Sequence, residues 1–528
     1  MTTLERAATE ITGRKPYQNE PFTDFSLPEN KAAMEAALAK VATQLGQTLN
    51  PVIGGKKLET GKFLNSYNPA RPDQLIARFH SASVEMAEQA VQTASETFKS
   101  WQNVPAQERA GYLFKAADLM RQRKHEFSAW MIYEIGKNWP EADVDTAEAI
   151  DFLEYYGREM LRLAGPQPVV QVDGEKNHLR YISLGVGVVI PPWNFPLAIT
   201  VGMTSAAIVT GNTVILKPSS ATPVIAYRFF ELMEEVGLPA GVFNFLPGSG
   251  GAIGDLLVDH AKTRFISFTG SKEVGLRIFD RASKVAPGQI WLKRTVLEMG
   301  GKDSVVVDET ADLEAAATAI VTSAFGFQGQ KCSAGSRAIL VDQIYDKVLE
   351  KVVEKVNQLE LGPTDEKNYN LGPVSDEKAY KKIKEYIEIG KGEGKLVAGD
   401  KNRIPEQGYF IAPTVFSEVD AQARIAQEEI FGPVLAVIRA RDFDHALEIA
   451  NGTEFGLTGA LFSQDPARLE RAEQEFHVGN LYFNRKCTGA LVGVQPFGGF
   501  NMSGTDSKAG GQDYLLLFLQ GKSIARRV

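Results

Sequence analysis

Gly185-Val186-Gly187-Val188-Val189-Ile190-Pro191-Pro192-Trp193-Asn194-Phe195-Pro196 runs a short apolar stretch into a proline-braced turn. Val186 to Ile190 reads as a buried strand, and Asn194 puts a primary amide on the turn that ends it. Similar strand-like runs follow at Thr213 to Lys217, Val242 to Leu246 and Arg264 to Phe268, separated by helical segments such as Pro223 to Val236. That alternation predicts a parallel α/β sheet with crossover helices, whose nucleotide ligands sit at the carboxyl ends of the strands. Upstream, Val84, Ala87, Val91, Ala94, Phe98 and Trp101 recur at helical spacing behind a capping Ser83, and Pro105 opens a second helix at its first position. Gln167 to Ser183 reads as a hairpin about Asp173-Gly174. A chain of 528 residues implies more than one core.

Two further stretches supply chemistry. Leu313 to Phe325 reads as a buried helix and Arg337 to Val341 as a strand, so Gly329-Gln330-Lys331-Cys332-Ser333 lies on the turn between them. A thiolate is favoured beside cations and exposed N–H groups, which Lys331 and the glycines can supply. Val296-Leu297-Glu298-Met299-Gly300-Gly301-Lys302 ends another apolar run with one carboxylate. Alone, Cys332 reads equally well as a structural thiol, Asn194 as a turn residue and Glu298 as a strand-end charge. Together, thiol, amide and carboxylate are the parts needed to add a nucleophile to a carbonyl, hold the oxyanion and activate water.

Composition narrows the classes. A net charge of −8 without a basic run argues against a nucleic-acid surface and leaves a small molecule as the default partner. The longest apolar stretch, Ile182 onward past Leu197, is broken by glycines and prolines, so no membrane span is expected. Glu5, Glu10 and Glu20 interrupt any apolar leader. Two cysteines make neither a disulfide framework nor a zinc site, so no metal is expected and a reducing cytoplasm fits best.

The order Pro192-Trp193-Asn194-Phe195-Pro196, Phe268-Thr269-Gly270-Ser271, Leu297-Glu298-Met299-Gly300-Gly301-Lys302, Gly329-Gln330-Lys331-Cys332 and Glu428-Glu429-Ile430-Phe431-Gly432-Pro433 resembles the aldehyde dehydrogenase superfamily over nearly the whole chain. The resemblance implies an α/β fold with two parallel-sheet domains, cofactor-binding and catalytic, and a β-hairpin oligomerisation element. In this chain those would be a helical extension at 1–50, the cofactor domain at 51–297 with the hairpin at 163–184, the catalytic domain at 298–484, and an anchor-loop and oligomerisation segment at 485–528. It implies Cys332 as nucleophile, Asn194 with the Cys332 backbone N–H as oxyanion donors, and Glu298 as general base. It assigns Lys217, Ser220, Gly270, Ser271, Glu429, Phe431 and Trp193 to the cofactor. Ser271 would begin the helix that takes the diphosphate, and Glu429 would bind the nicotinamide ribose. NAD-restricted members often carry glutamate where this chain has Ser220; serine does not repel a 2′-phosphate, so NAD is expected with NADP tolerated. The glycines at 248–254 do not make the G-x-G-x-x-G fingerprint.

Thr488-Gly489-Ala490 ahead of Pro496-Phe497-Gly498-Gly499 resembles the anchor loop of 1-pyrroline-5-carboxylate dehydrogenases. The resemblance implies that Ser333, Gly489 and Ala490 grip the amino-acid end of the substrate while Phe195 and Phe497 flank its chain; Arg485 and Lys486 can add positive field, and Cys487 is a bystander. The expected reaction is oxidation of L-glutamate γ-semialdehyde to L-glutamate, the second step of proline catabolism. A broader semialdehyde dehydrogenase, a cysteine hydrolase and a catalytically silent protein on the same fold are the alternatives; the hydrolase would need a histidine base that these motifs lack. The preceding step is expected from a separate proline dehydrogenase. The hairpin and the tail from Tyr514 to Val528 predict a homodimer or larger assembly.

Overall fold

The computed structural model describes residues 14–399 and 404–528. Glu5 and Glu10 lie outside them. Two seven-stranded sheets each carry their own core. In the first sheet, Val186–Ile190 is flanked by Thr213–Leu216 and then Phe243–Phe245 on one side, and by Thr263–Thr269 and then Arg294–Glu298 on the other. All five are parallel. The order reverses between Val186–Ile190 and Thr263–Thr269, opening a ligand crevice above the carboxyl ends of the strands. Short antiparallel strands, Val52–Ile53 and Lys56–Lys57, finish the far edge.

The second sheet is parallel from Thr414–Ser417 through Val434–Ala440, Arg337–Val341, Ser304–Val307 and Thr458–Phe462 to Asn480–Phe483. Lys395–Ala398 is added antiparallel at the edge. Residues 299–303 alone join the last strand of the first sheet to Ser304–Val307. The carboxyl edge of one sheet therefore feeds the amino edge of the other. Arg337, fully buried, braces this junction by donating to the carbonyls of Lys302, Ile449 and Ala450, each at 2.9 Å.

The long helix Trp139–Ala164 ties the chain's beginning to the body. Asp143 accepts from both the backbone N–H and the hydroxyl of Thr23, and Asp151 from the backbone of Glu20 and the amide of Asn19. The helices expected at Leu313–Phe325 and from Val84 form as read, the second over Val84–Trp101 with Ser83 accepting from the Met86 N–H. Pro105 stands one place earlier than expected, capping Ala106–Gln122 from outside. Within the expected N-terminal extension, the described helix is Pro28–Ala42 and Gln47–Leu49 is a strand.

The expected hairpin pairs differently. Asp173-Gly174 makes a turn, with Gly174 at φ +79°, yet the nine residues of Glu175–Ser183 pair with the C-terminal strand Leu519–Arg527. Residues 167–172 form no strand. The Gln171 side chain occupies the place of a partner backbone, exchanging two bonds with Asn177, and Pro168 lacks the N–H that a ladder needs. The apolar residues Leu515 and Phe518 of the tail pack into the first sheet's core.

Candidate active site

The predicted groups gather where the two sheet edges meet. Asn194 follows the strand Val186–Ile190, Lys217 follows Thr213–Leu216, Gly270 and Ser271 follow Thr263–Thr269, and Glu298 closes Arg294–Glu298. Glu298 stands in register with Thr269, and its carbonyl accepts from the Gly270 N–H at 3.0 Å. Facing them, the loop that carries Cys332 leaves the helix Leu313–Phe325 and enters Arg337–Val341.

That loop is strained and pinned. Phe327 and Gln328 both adopt left-handed backbone, at φ +48° and +56°, ahead of Gly329 at +67°. Such residues cost about 1–3 kcal/mol each and persist only where the surroundings over-determine them. Here the Gln328 amide donates to the Pro373 carbonyl at 3.1 Å, and the Gln330 amide oxygen accepts from the Ser375 N–H at 2.9 Å. Asn194, 3 % exposed, donates its amide to the Gln330 carbonyl at 3.0 Å, which brings the predicted oxyanion donor to within two residues of Cys332.

Gly300 and Gly301 permit the closest approach. A Cβ on Gly301 would lie 2.4 Å from the Cys332 carbonyl oxygen, and one on Gly300 2.5 Å from the Glu429 carboxylate. The junction thus threads between the Cys332 loop and the Glu429 carboxylate, and the Gly301 N–H donates to Glu429 at 3.0 Å. Glu428 and Glu429 part company: Glu428 pairs with Arg424 and Tyr386 at the surface, while Glu429 turns inward. Two residues on, Phe431, left-handed at φ +62°, meets Trp193 edge to face at 5.3 Å.

The electrostatics correct one expectation. Lys331 does not serve the thiol; its ammonium pairs with Glu141 at 2.7 Å. Burial, and then the carboxylates of Asp303, Glu429 and Glu298, push the Cys332 thiol well above the ordinary cysteine range. These surroundings favour the thiol over the thiolate, so the proton must leave as carbonyl attack begins. Glu298 is raised to about 7 by burial, against donors from Ser507 and Gly499. Burial likewise raises Glu429 and lowers Lys217 to about 8. Among the described residues, the Lys217 ammonium finds only its neighbour's carbonyl, Pro218, at 3.3 Å. Ser220 is exposed beyond it, and Ser271 caps the helix Lys272–Ala282, accepting from the Val274 N–H.

The expected substrate residues come from both sides of the junction, Phe195 from the turn after Val186–Ile190 and the others from the second-sheet side. Ser333 is buried behind the nucleophile. Gly489, left-handed at φ +79°, is exposed and Ala490 half-buried. Arg485 does not point into the site; its guanidinium holds the anchor loop through the carbonyls of Thr488 and Gly489 at 2.9 and 3.0 Å. Phe497 exchanges backbone bonds with Ala509. Phe195 meets Phe327 edge to face at 6.5 Å.

Residues 57–524 match the aldehyde dehydrogenase family. The chain belongs to that family. It is 60% identical over 511 residues, 97% of this chain and 99% of the relative, to the 1-pyrroline-5-carboxylate dehydrogenase of Geobacillus thermodenitrificans (strain NG80-2). Its structure superposes at a TM-score of 0.96 and 52% identity on a Thermus 1-pyrroline-5-carboxylate dehydrogenase with bound NAD, covering 98% of this chain and 100% of that one. The same TM-score at 45% identity relates it to proline utilization A from Bdellovibrio bacteriovorus, covering 97% of this chain and 54% of that chain.

Three groups of this aldehyde dehydrogenase escaped the reading of its sequence. Cys487, set aside as a bystander, is fully buried against the nucleophile loop: its thiol donates to the Ser333 carbonyl at 3.5 Å and its N–H to the Ser323 hydroxyl at 3.2 Å. Lys137 and Asp145 form a fully buried ion pair at 3.0 Å, with the ammonium 4.0 Å over the Phe195 ring and 4.6 Å over Phe327. Glu141, Asp145 and Glu148 recur at helical spacing on Trp139–Ala164, and burial raises Glu148 to about 8. That spacing was the available signal, hidden because acidic residues on a helix usually mark a solvated face.

Proposed function

We propose that this aldehyde dehydrogenase oxidises L-glutamate γ-semialdehyde to L-glutamate with NAD as hydride acceptor. The observation that carries the reading is the meeting of Cys332, Asn194 and Glu298 at the facing sheet edges, with Ser333 and the Thr488-Gly489-Ala490 loop on the same side. High identity to relatives named 1-pyrroline-5-carboxylate dehydrogenase supports the substrate.

The residues present fit the cofactor. A buried Lys217 ammonium with one long carbonyl contact suits ribose oxygens, the N-terminus of the helix after Ser271 suits a diphosphate, and inward-turned Glu429 suits ribose hydroxyls. Held by these residues, NAD would supply the hydride acceptor for the carbon attached to Cys332. Exposed Ser220 places no charge against a 2′-phosphate, so NADP is tolerated.

The Cys332 sulfur attacks the aldehyde carbon as its proton passes to solvent water. The Asn194 amide and the Cys332 N–H receive the oxyanion, which a preorganised donor pair stabilises better than it stabilises the ground-state carbonyl. Hydride loss leaves a thioester. Glu298, poised near neutrality, takes a proton from water as the oxygen attacks, and the thiol leaves as the acid forms. The protein works in the cytoplasm as a homodimer or larger assembly. The ribbon of Glu175–Ser183 and Leu519–Arg527 is largely exposed, and a two-stranded ribbon is marginal without a covering partner.

The test is reduced-nicotinamide formation with 1-pyrroline-5-carboxylate, succinate semialdehyde and aliphatic aldehydes at equal concentration. A strong preference for the first, lost in Cys332→Ser with NAD binding retained, is the expected result. Equal rates across the panel would discard the substrate.

A further inference from the structure

Glu298 does not point freely into the site. Its Oε1 accepts from the Ser507 hydroxyl at 2.5 Å and from the Ser507 N–H at 3.4 Å, and its Oε2 accepts from the Gly499 N–H at 3.3 Å. The segment delivering these donors lies along the open edge of the strand Arg294–Glu298. The Thr505 N–H donates to the Leu297 carbonyl at 2.9 Å, the Met299 N–H to the Ser503 carbonyl at 2.7 Å, and Glu298 faces Gly504 across an antiparallel bridge.

Ser507 is held in place by strain on both sides. Asp506 and Lys508 are left-handed at φ +52° and +49°. The arrangement is locked by the Lys508 ammonium, which donates to the carbonyls of Gly479 and Gly498 at 2.8 Å each and pairs with Asp506 at 3.0 Å. The next residue, Ala509, is bonded reciprocally to Phe497, the residue expected to flank the substrate. Strained non-glycine residues flanking a buried hydroxyl aimed at a carboxylate are the mark of a functional site rather than of a packing accident.

We propose that Ser507 is a positioning residue for Glu298, docking the carboxylate during acylation and keeping it ionised for thioester hydrolysis. The proposal rests on Glu298 as the base. Three donors favour the charged carboxylate over the acid, and they counter only part of the burial that raises Glu298. The other groups facing Glu298 are the Lys508 ammonium on the same segment, the Cys332 thiol on the nucleophile loop and the buried Tyr514 phenol of the C-terminal turn. Of these only Lys508 is a cation, and its ammonium is taken up by the Gly479 and Gly498 carbonyls and by Asp506, so the hydroxyl is the shortest hold on the carboxylate.

The experiment follows decay of the acyl-enzyme made from glutamate γ-semialdehyde and NAD by rapid quench, against pH, in full-length protein. Wild-type hydrolysis should fall on the acid side of neutrality as Glu298 takes up a proton. In Ser507→Ala that limb should move up by about one pH unit, a charge-assisted hydrogen bond having been removed. Hydrolysis then slows roughly tenfold below the limb and recovers at alkaline pH. The rate of the NADH burst that accompanies acylation stays unchanged, and Ser507→Thr, which keeps the hydroxyl, restores the wild-type limb. Ser507→Gly replaces the alanine variant if that fails to fold. An unmoved limb, or a loss equal at every pH, overturns the proposal. Glu298→Gln separates the two readings: a limb surviving in that variant removes Glu298 as the base, whereas a limb abolished there but unmoved in Ser507→Ala overturns the dock alone.

Discussion

Gly301→Ala tests whether the close threading of the junction sets the nucleophile. The added Cβ would stand 2.4 Å from the Cys332 carbonyl oxygen and 2.7 Å from Asp303 Oδ2, where ordinary contact begins near 3.4 Å. Neither neighbour yields cheaply, because one is backbone and the other accepts from the Thr458 N–H at 2.7 Å through its second oxygen. The Cys332 backbone therefore retreats by about 1 Å, and a misplacement of about 1 Å at a reacting group costs on the order of 10²-fold in rate. The Gly301 N–H bond to Glu429 weakens as well. The assay is steady-state NADH formation at saturating substrate and cofactor, with thermal melting to show that the fold survives. Gly111→Ala is the control: it sits in the helix Ala106–Gln122 with nothing within 4 Å of its added Cβ, so activity should not change. A Gly301→Ala enzyme within threefold of wild type would refute the reasoning.

Asn194→Ala removes one oxyanion donor and should lower kcat by about 10² to 10³ with the melting temperature little changed; a KM effect alone would argue against the role. Ser220→Glu should cut kcat/KM for NADP at least tenfold while sparing NAD, read from the ratio of the two cofactors; equal losses would detach Ser220 from the 2′ position. Lys137→Met leaves Asp145 buried and unpaired, which should cost about 3–5 kcal/mol in denaturant unfolding, and it frees the Phe195 ring. An unchanged unfolding midpoint would show that the pair adds nothing.

Much of the architecture was legible because its signals are local. Apolar runs bounded by glycine and proline marked the strands at Val186–Ile190 and Arg337–Val341, and Ser83 and Ser271 announced the helices that they cap. The proposed trio of Cys332, Asn194 and Glu298 was legible because each member sits in a short stretch whose composition serves one chemistry. Pairing was another matter. The Asp173-Gly174 turn was readable, yet Glu175–Ser183 found its partner more than 300 residues away, because hydrogen-bond partners across a sheet leave no mark on sequence spacing.

By itself the sequence determined which residues are candidates for the chemistry and on which turns they stand, since strand ends, caps and glycine turns depend on neighbours within a few positions. Only the tertiary structure decided their electrical state. Lys331 looked like a partner for the thiol and is taken by Glu141, while burial, and then the carboxylates of Asp303, Glu429 and Glu298, push the Cys332 thiol upward. Ser507, lost in an unremarkable stretch, reaches Glu298 because residues 503–505 run along the strand edge. Burial and charge proximity are summed over the whole packed interior, and no window along the chain contains that sum.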